Sequence, residues 1–375
     1  MRPTRQLAGA ATVSLALAAC LAPAQAATSP GWRITKLIGL ASDVSRLDAV
    51  TATGPGDAWT VGNQNRKLII ERWGNGHWVS IPPKGFAGAS LLNGVAGEQP
   101  SFGATSATNA WIFVGTSTGH EAWHWNGTSW ARVSMPSWVT PVDRSGSTGV
   151  TPVVAVHGGG TWVFASGATG YAARYNHGRW SKVPVPAVPV SISAFSVNDI
   201  WAVGLNLKTS GWVLMHWNGT RWSTTAIPKP HLTTGEISFA NPVVAASDTS
   251  VWVRVGIAKN GLPKGNVLLH WNGSGWTRVS MPPLGYLSQA GMAQDGHGGL
   301  WLAGIGPAPA YQPYFYHYNS GHWTRQIVPG DSGTPNNKVE LLGMTWIPGT
   351  RSLWAVGQSN VGIPGVQAAI LKYGP

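Results

Sequence analysis

The chain of 375 residues carries 25 basic and 13 acidic side chains, 49 glycines, 27 prolines and 22 tryptophans beside a single cysteine. Gly and Pro together stay below the share that marks low-complexity disorder, so the chain folds, and with so few charges it is held by aromatic packing under a surface of Ser, Thr, Asn and Gly. This balance excludes a coiled coil, a disordered tail and an acidic cation-buffering protein.

Arg2 and Arg5 precede an apolar run from Leu7 to Leu21, and Ala24-Gln25-Ala26 follows with the small-x-small pattern a signal peptidase accepts. The pattern predicts a signal peptide over 1–26, export, and a secreted mature protein. The run is too short for an ordinary membrane span, so no transmembrane segment is expected. A second reading stays open, because Leu17-Ala18-Ala19-Cys20 resembles a bacterial lipobox, and lipidation at Cys20 would tether the protein to a membrane surface. A chain cut after Ala26 has no cysteine and no disulfide. Removing Arg2 and Arg5 leaves 23 basic against 13 acidic residues, a net charge of 23 − 13 = +10. This charge could draw the protein to an anionic cell-envelope polymer, although the basic residues are scattered singly and also favour solubility.

From residue 31 onward, three aromatic positions recur together. The first is a Trp followed within five residues by Gly: Trp59, Trp111, Trp162, Trp201, Trp252, Trp301 and Trp354. Trp59 to Trp354 is 295 residues over six intervals, about 49 each, the length of a four-stranded propeller blade. The second is an aromatic preceded by a basic residue or histidine: Trp73, Trp125, Tyr175, Trp217, Trp271, Tyr318 and Tyr373. The third follows five residues later, at Trp78, Trp130, Trp180, Trp222, Trp276 and Trp323, and stops at six because the chain ends at Pro375. The missing seventh is at the other end, where Gly31-Trp32-Arg33-Ile34 reads like Ser129-Trp130-Ala131-Arg132.

Each repeat reads as four short strands. In the first, 47–53, 58–62, 68–73 and 77–81 are separated by Gly, Pro and Asn turns. Asn126-Gly127, Asn218-Gly219 and Asn272-Gly273 occupy the third turn of their repeats, where positive φ is expected. The predicted fold is all-β: a single domain over 31–375, a seven-bladed β-propeller whose last blade is completed by the N-terminal strand around Trp32 beside Tyr373. An open solenoid is the weaker architecture, because it would want polar caps rather than complementary ends.

These residues resemble the kelch and galactose-oxidase-like propellers. Gly167, Tyr175, Trp180, Pro184 and Pro186 follow the kelch order of glycine, tyrosine, tryptophan and prolines, and the resemblance covers about 31–375. It differs in a single Gly in place of the kelch pair and in the added second-strand Trp. The copper–radical chemistry of the galactose-oxidase-like enzymes needs a Cys cross-linked to a Tyr, which the mature chain lacks.

The repeated aromatics are expected to be core. The residues before the second aromatic, Arg72, His124, Arg174, His216, His270, His317 and Lys372, are spread one per blade, so they are read as packing on the neighbouring aromatic and no metal or other cofactor is expected. No carboxylate pair at a shared offset and no hydrolase motif is visible, so no catalytic residue is assigned and whether the protein is an enzyme stays open, leaning against. The variable connections 82–100, 137–149, 205–211, 229–240, 257–266, 305–313 and 330–338 would gather on one face, where a rigid scaffold builds its binding site. The candidate ligand-binding residues in or beside them are Trp138, Asp143, Arg144, Trp212, His231, Glu236, Tyr311 and Tyr314. The expected function is a monomeric, secreted, non-catalytic recognition module for an extracellular carbohydrate or a protein partner. The alternative is a polysaccharide-acting enzyme with its site over the central channel; nucleic acid is not an expected partner.

Overall fold

The computed structural model describes residues 31–375 apart from 41, 66, 83–100, 117–118, 139–152, 157–159, 164–170, 283, 285, 307–311, 331–337 and 361–364. The described strands form seven sheets of four antiparallel strands, with no helix among the described residues. Blades 1 to 6 span 45–80, 101–133, 153–184, 188–226, 236–279 and 286–327, each running outward in chain order from its inner strand. Blade 7 takes three strands from 339–373, and Trp32–Ile38 pairs as its outermost strand beside Gln367–Tyr373, with Trp32 opposite Tyr373. The predicted closure is therefore present, and the first and last strands share one sheet.

The aromatic triplets explain why this period closes. The second-strand Trp of each blade is buried, none more than 5% exposed. It inserts between the third- and outer-strand aromatics of the next blade: Trp59 on Trp125 and Trp130, Trp162 on Trp217 and Trp222, and Trp354 on Trp73 and Trp78. Trp111 meets Tyr175, Trp252 meets Tyr318, and Trp201 shares a core cluster with Trp271 and Trp276. At the closing seam Trp301 meets Tyr373 at 4.6 Å and Trp32 at 5.6 Å. Each blade thus presents an indole to one neighbour and a slot to the other. A chain of such units can bury every indole only by forming a ring, which also removes free sheet edges.

Glycine after the second-strand Trp has a separate steric cause. A Cβ on Gly62 would lie 2.0 Å from the Arg46 carbonyl oxygen, and one on Gly357 would lie 1.8 Å from that of Glu340. Both face a bulge in the inner strand of their blade, between Leu47 and Ala49 or between Leu341 and Gly343, which pushes the backbone inward.

The third-turn asparagines need correction. Gly127, Gly219 and Gly273 have positive φ, but Asn126, Asn218 and Asn272 do not. Each Asn Oδ1 instead accepts the N–H groups two and three residues on, as Asn218 does from Thr220 and Arg221, so these are four-residue Asx turns.

Candidate functional site

The first-to-second and third-to-outer strand turns share one face of the disc. The opposite face, called the connection face here, carries the second-to-third hairpins and the links from each outer strand to the next inner strand. The face-to-face division was legible in sequence, but not every connection length was. The segment 257–266 is not a loop: strands Ser250–Lys259 and Leu262–Trp271 run through it and turn at Asn260-Gly261, both at positive φ. Likewise Glu236 opens the strand Glu236–Ser247, and Tyr314 lies inside Pro313–Asn319.

The described candidate residues fall in three places: Trp138 between blades 2 and 3, Trp212, His231 and Glu236 where blade 4 joins blade 5, and Tyr314 on blade 6. Trp138 follows the outer strand of blade 2 and leans on blade 3, edge-on to Tyr171 at 5.8 Å. The Tyr171 hydroxyl donates to the Trp138 carbonyl, and Lys182 Nζ stands 5.0 Å from the Trp138 ring and 4.9 Å from the Tyr171 ring. Trp212 joins the blade 4–5 core, and its indole N–H donates to the Ser238 carbonyl at 2.9 Å. His231 is exposed on the link into blade 5. Glu236 Oε2 accepts the Thr233 N–H at 2.9 Å, and this backbone hydrogen bond, with Lys264 and Lys259 nearby, holds its carboxyl below the usual range. Tyr314 donates to Gln312 Oε1 at 3.2 Å and lies under the Arg325 guanidinium at 4.6 Å. Asp143, Arg144, Tyr311 and Cys20 lie outside the described residues, as do the predicted signal peptide and Gly167 of the kelch-like pattern. Tyr171 and Lys182 were not singled out from sequence; their only signal is adjacency to Trp138 across a seam, which spacing does not report.

The residues before the second aromatic each lie opposite their own blade's buried Trp. Arg72, Arg174 and Lys372 stand over Trp59, Trp162 and Trp354 at 5.3–5.5 Å, and His124, His216, His270 and His317 stack on Trp111, Trp201, Trp252 and Trp301. A residue at the first turn fixes Arg72, His124, His216, His270 and His317 from behind. Asp57 holds Arg72, Asp199 holds His216 and Asp295 holds His317, whereas Asn109 and Ser250 hold His124 and His270. Burial lowers the affinity of His124 and His270 for a proton, which suits their neutral partners. These are four rings and three cations positioned one per blade, and no group of three His, Cys, Asp or Glu suited to a metal ion occurs among the described residues.

Asp48 is a strongly perturbed carboxylate. It sits in the inner-strand bulge of blade 1 with its side chain 1% exposed, 2.9 Å from Arg46 Nε. Burial pushes its pKa up to about 6, against the opposing pull of Arg46 and Asn63. The folded protein therefore keeps a proton that the unfolded chain has already released, so stability is full below pH 3.8, falls as the pH rises through about 6, and levels above it. The difference corresponds to roughly 3 kcal/mol. Asp48→Asn is expected to abolish this fall and to melt higher than wild type at neutral pH, as thermal unfolding across pH 4–8 would show. A carboxyl so enclosed is closed to a polymeric substrate.

The closed ring, its interlocked indoles and its one variable face define a seven-bladed β-propeller. The sequence matches no family model and no curated protein. Among solved structures it is similar to the polysaccharide lyase Uly1, with 13% identity over 88% of this chain and 90% of that one and a TM-score of 0.52. Lower likenesses include the SapL1 lectin in complex with alpha methyl fucoside, 14% identical over 78% and 98% with a TM-score of 0.44. The six-bladed Aleuria aurantia lectin is 14% identical over 78% and 97%, with a TM-score of 0.43. At such identities the likeness speaks to fold alone, and the kelch and galactose-oxidase resemblance rests on the sequence pattern.

Proposed function

We propose that this propeller is an exported, non-catalytic recognition module that meets an extracellular carbohydrate with its connection face. The observation that carries the reading is a division of labour among the aromatics. The repeated ones fill the seams, whereas the Trp138–Tyr171 pair lies outside the repeat at the end of blades 2 and 3, where Trp138 packs on the rim of the core and stays half-buried, with an ammonium beside it. A half-buried aromatic pair with a cation supplies a stacking face for the C–H side of a sugar and a donor for its hydroxyls. Export follows from the sequence pattern at 1–26, with the Cys20 tether as the alternative.

The test is a glycan and cell-wall polymer array probed with the unit 31–375, repeated in high salt. Binding to a defined sugar that survives salt is expected. Trp138→Ala should weaken it at least about tenfold, the loss of one stacked ring, with little change in melting temperature. Sugar binding indifferent to Trp138→Ala would contradict the reading.

A further inference from the structure

Among the described residues, exposed lysines and large apolar side chains gather on the connection face. Of the ten large apolar side chains that are exposed among the described residues, Leu40, Val44, Leu207, Leu232, Ile237 and Leu262 stand on the links and hairpin tips of the connection face, and Leu37 and Ile327 lie at the ends of outer strands that run to it. Six exposed lysines share that face, at 67, 208, 229, 259, 264 and 338. The described acidic residues of that face offset them in part. Asp43 and Asp48 are buried, Glu236 is turned to the Thr233 N–H and flanked by Lys259 and Lys264, and Glu121 is paired with Arg132, which leaves the exposed Glu340, bonded to Gln358, beside Lys338. On the opposite face the first turns carry Asp57, Asp199, Asp248 and Asp295, of which Asp199 and Asp295 are buried, and the described turns of that face also carry the exposed Arg179, Arg221 and Arg351 but no lysine.

Blade 5 projects furthest among the second strands whose ends are described. Its second strand runs from Trp252 to Lys259, seven residues beyond the buried indole, against five from Trp59 to Gln64, from Trp201 to Asn206 and from Trp354 to Ser359. Two further residues raise the tip by about 7 Å. At that tip Leu262 is 71% exposed and, on the adjoining strand, Ile237 is 62% exposed, with Lys259 and Lys264 beside them.

We infer that the connection face seats on an anionic lipid surface, with Ile237 and Leu262 of blade 5 entering the interface and the lysines facing the headgroups. The inference rests on the reading that this face is the contact face, but it concerns a different blade from the proposed sugar site. Charge complementarity selects an anionic partner, and the aliphatic residues select lipid over a soluble polymer, which offers no apolar phase to receive them. Their placement supports the same choice. Leu40 and Val44 lie at the link from blade 7 to blade 1, across the ring from blades 4 and 5, so the apolar points are spread over the disc rather than pooled in one compact spot of the kind that anchors a protein partner.

The experiment is co-sedimentation of the unit 31–375, which holds all four strands of all seven sheets, with vesicles of phosphatidylcholine alone or mixed with phosphatidylglycerol. Sedimentation with the mixed vesicles and little with the neutral ones is expected. Ile237→Ser with Leu262→Ser should reduce it by about tenfold or more, from the lost burial of two aliphatic side chains. Lys259→Glu with Lys264→Glu should remove the preference for anionic lipid. All four positions are exposed, so unchanged melting curves would show that the variants are folded. The inference is overturned by absence of sedimentation, by sedimentation indifferent to the serine variant, or by a dimer in solution that the serine variant dissociates. Soluble polyphosphate competing equally well against wild type and serine variant would also overturn it, as diffuse charge attraction. The glycan array is a separate readout: loss of vesicle binding with sugar binding intact removes this inference alone, whereas failure of both removes the contact face itself.

Discussion

Trp301→Ala is expected to lower the stability of the propeller by about 3–5 kcal/mol, the range for truncating a fully buried aromatic whose cavity cannot collapse. The indole is 1% exposed and is enclosed by Tyr373, Trp32 and Phe315, with His317 stacked on its face at 4.3 Å. Those neighbours belong to three strands in two blades, so none can move into the vacancy without opening the blade 6–7 seam. Exposed positions of the same blade, such as Ile327, should cost little by comparison. Equilibrium unfolding in denaturant would separate the two cases.

A larger effect is expected from removing the strand Trp32–Ile38. Trp32 stacks on Phe315 at 3.7 Å, Thr35 donates to the Ile370 carbonyl, Arg33 donates to the Gly374 carbonyl, and Lys36 pairs with Glu71 of blade 1 at 2.7 Å. The strand therefore ties blade 7 to blades 6 and 1 as well as completing its sheet. Without it, Gln367–Tyr373 becomes an unpaired edge and the slot for Trp301 loses one wall. A chain beginning at residue 39 is expected to aggregate, and light scattering with size-exclusion chromatography would show it. A soluble monomer with the melting temperature of 31–375 would refute the closure.

Much of this architecture could be read from the chain because a repeat exposes its own logic. Seven Trp positions, seven third-strand aromatics and six outer-strand Trp residues left one vacancy, and Trp32 filled it by position alone. The interlocking of each indole with the following blade was not legible, since spacing gives the strand a residue lies in but not which neighbour its side chain enters. The candidate site was less legible for the same reason. Trp212 lay outside the repeat and so looked free, yet it reaches across to Ser238 and packs between blades 4 and 5. The tip of blade 5 falls within a variable connection by comparison of the repeats, yet Asn260-Gly261 is a two-residue hairpin signal and two strands meet there. Exposure of Ile237 and Leu262 depends on how far that hairpin stands above its neighbours, a property of the assembled ring.

The central claim is that repeated aromatics hold the ring while unrepeated residues of the connection face serve recognition. The most direct test is to measure melting temperature and sugar binding together on wild type, Trp138→Ala and Trp301→Ala. The account predicts that Trp138→Ala loses sugar binding and keeps its melting temperature, while Trp301→Ala melts lower and, below its transition, binds as wild type does. Trp138→Ala that binds normally, or Trp301→Ala that melts normally while losing the sugar, would contradict it.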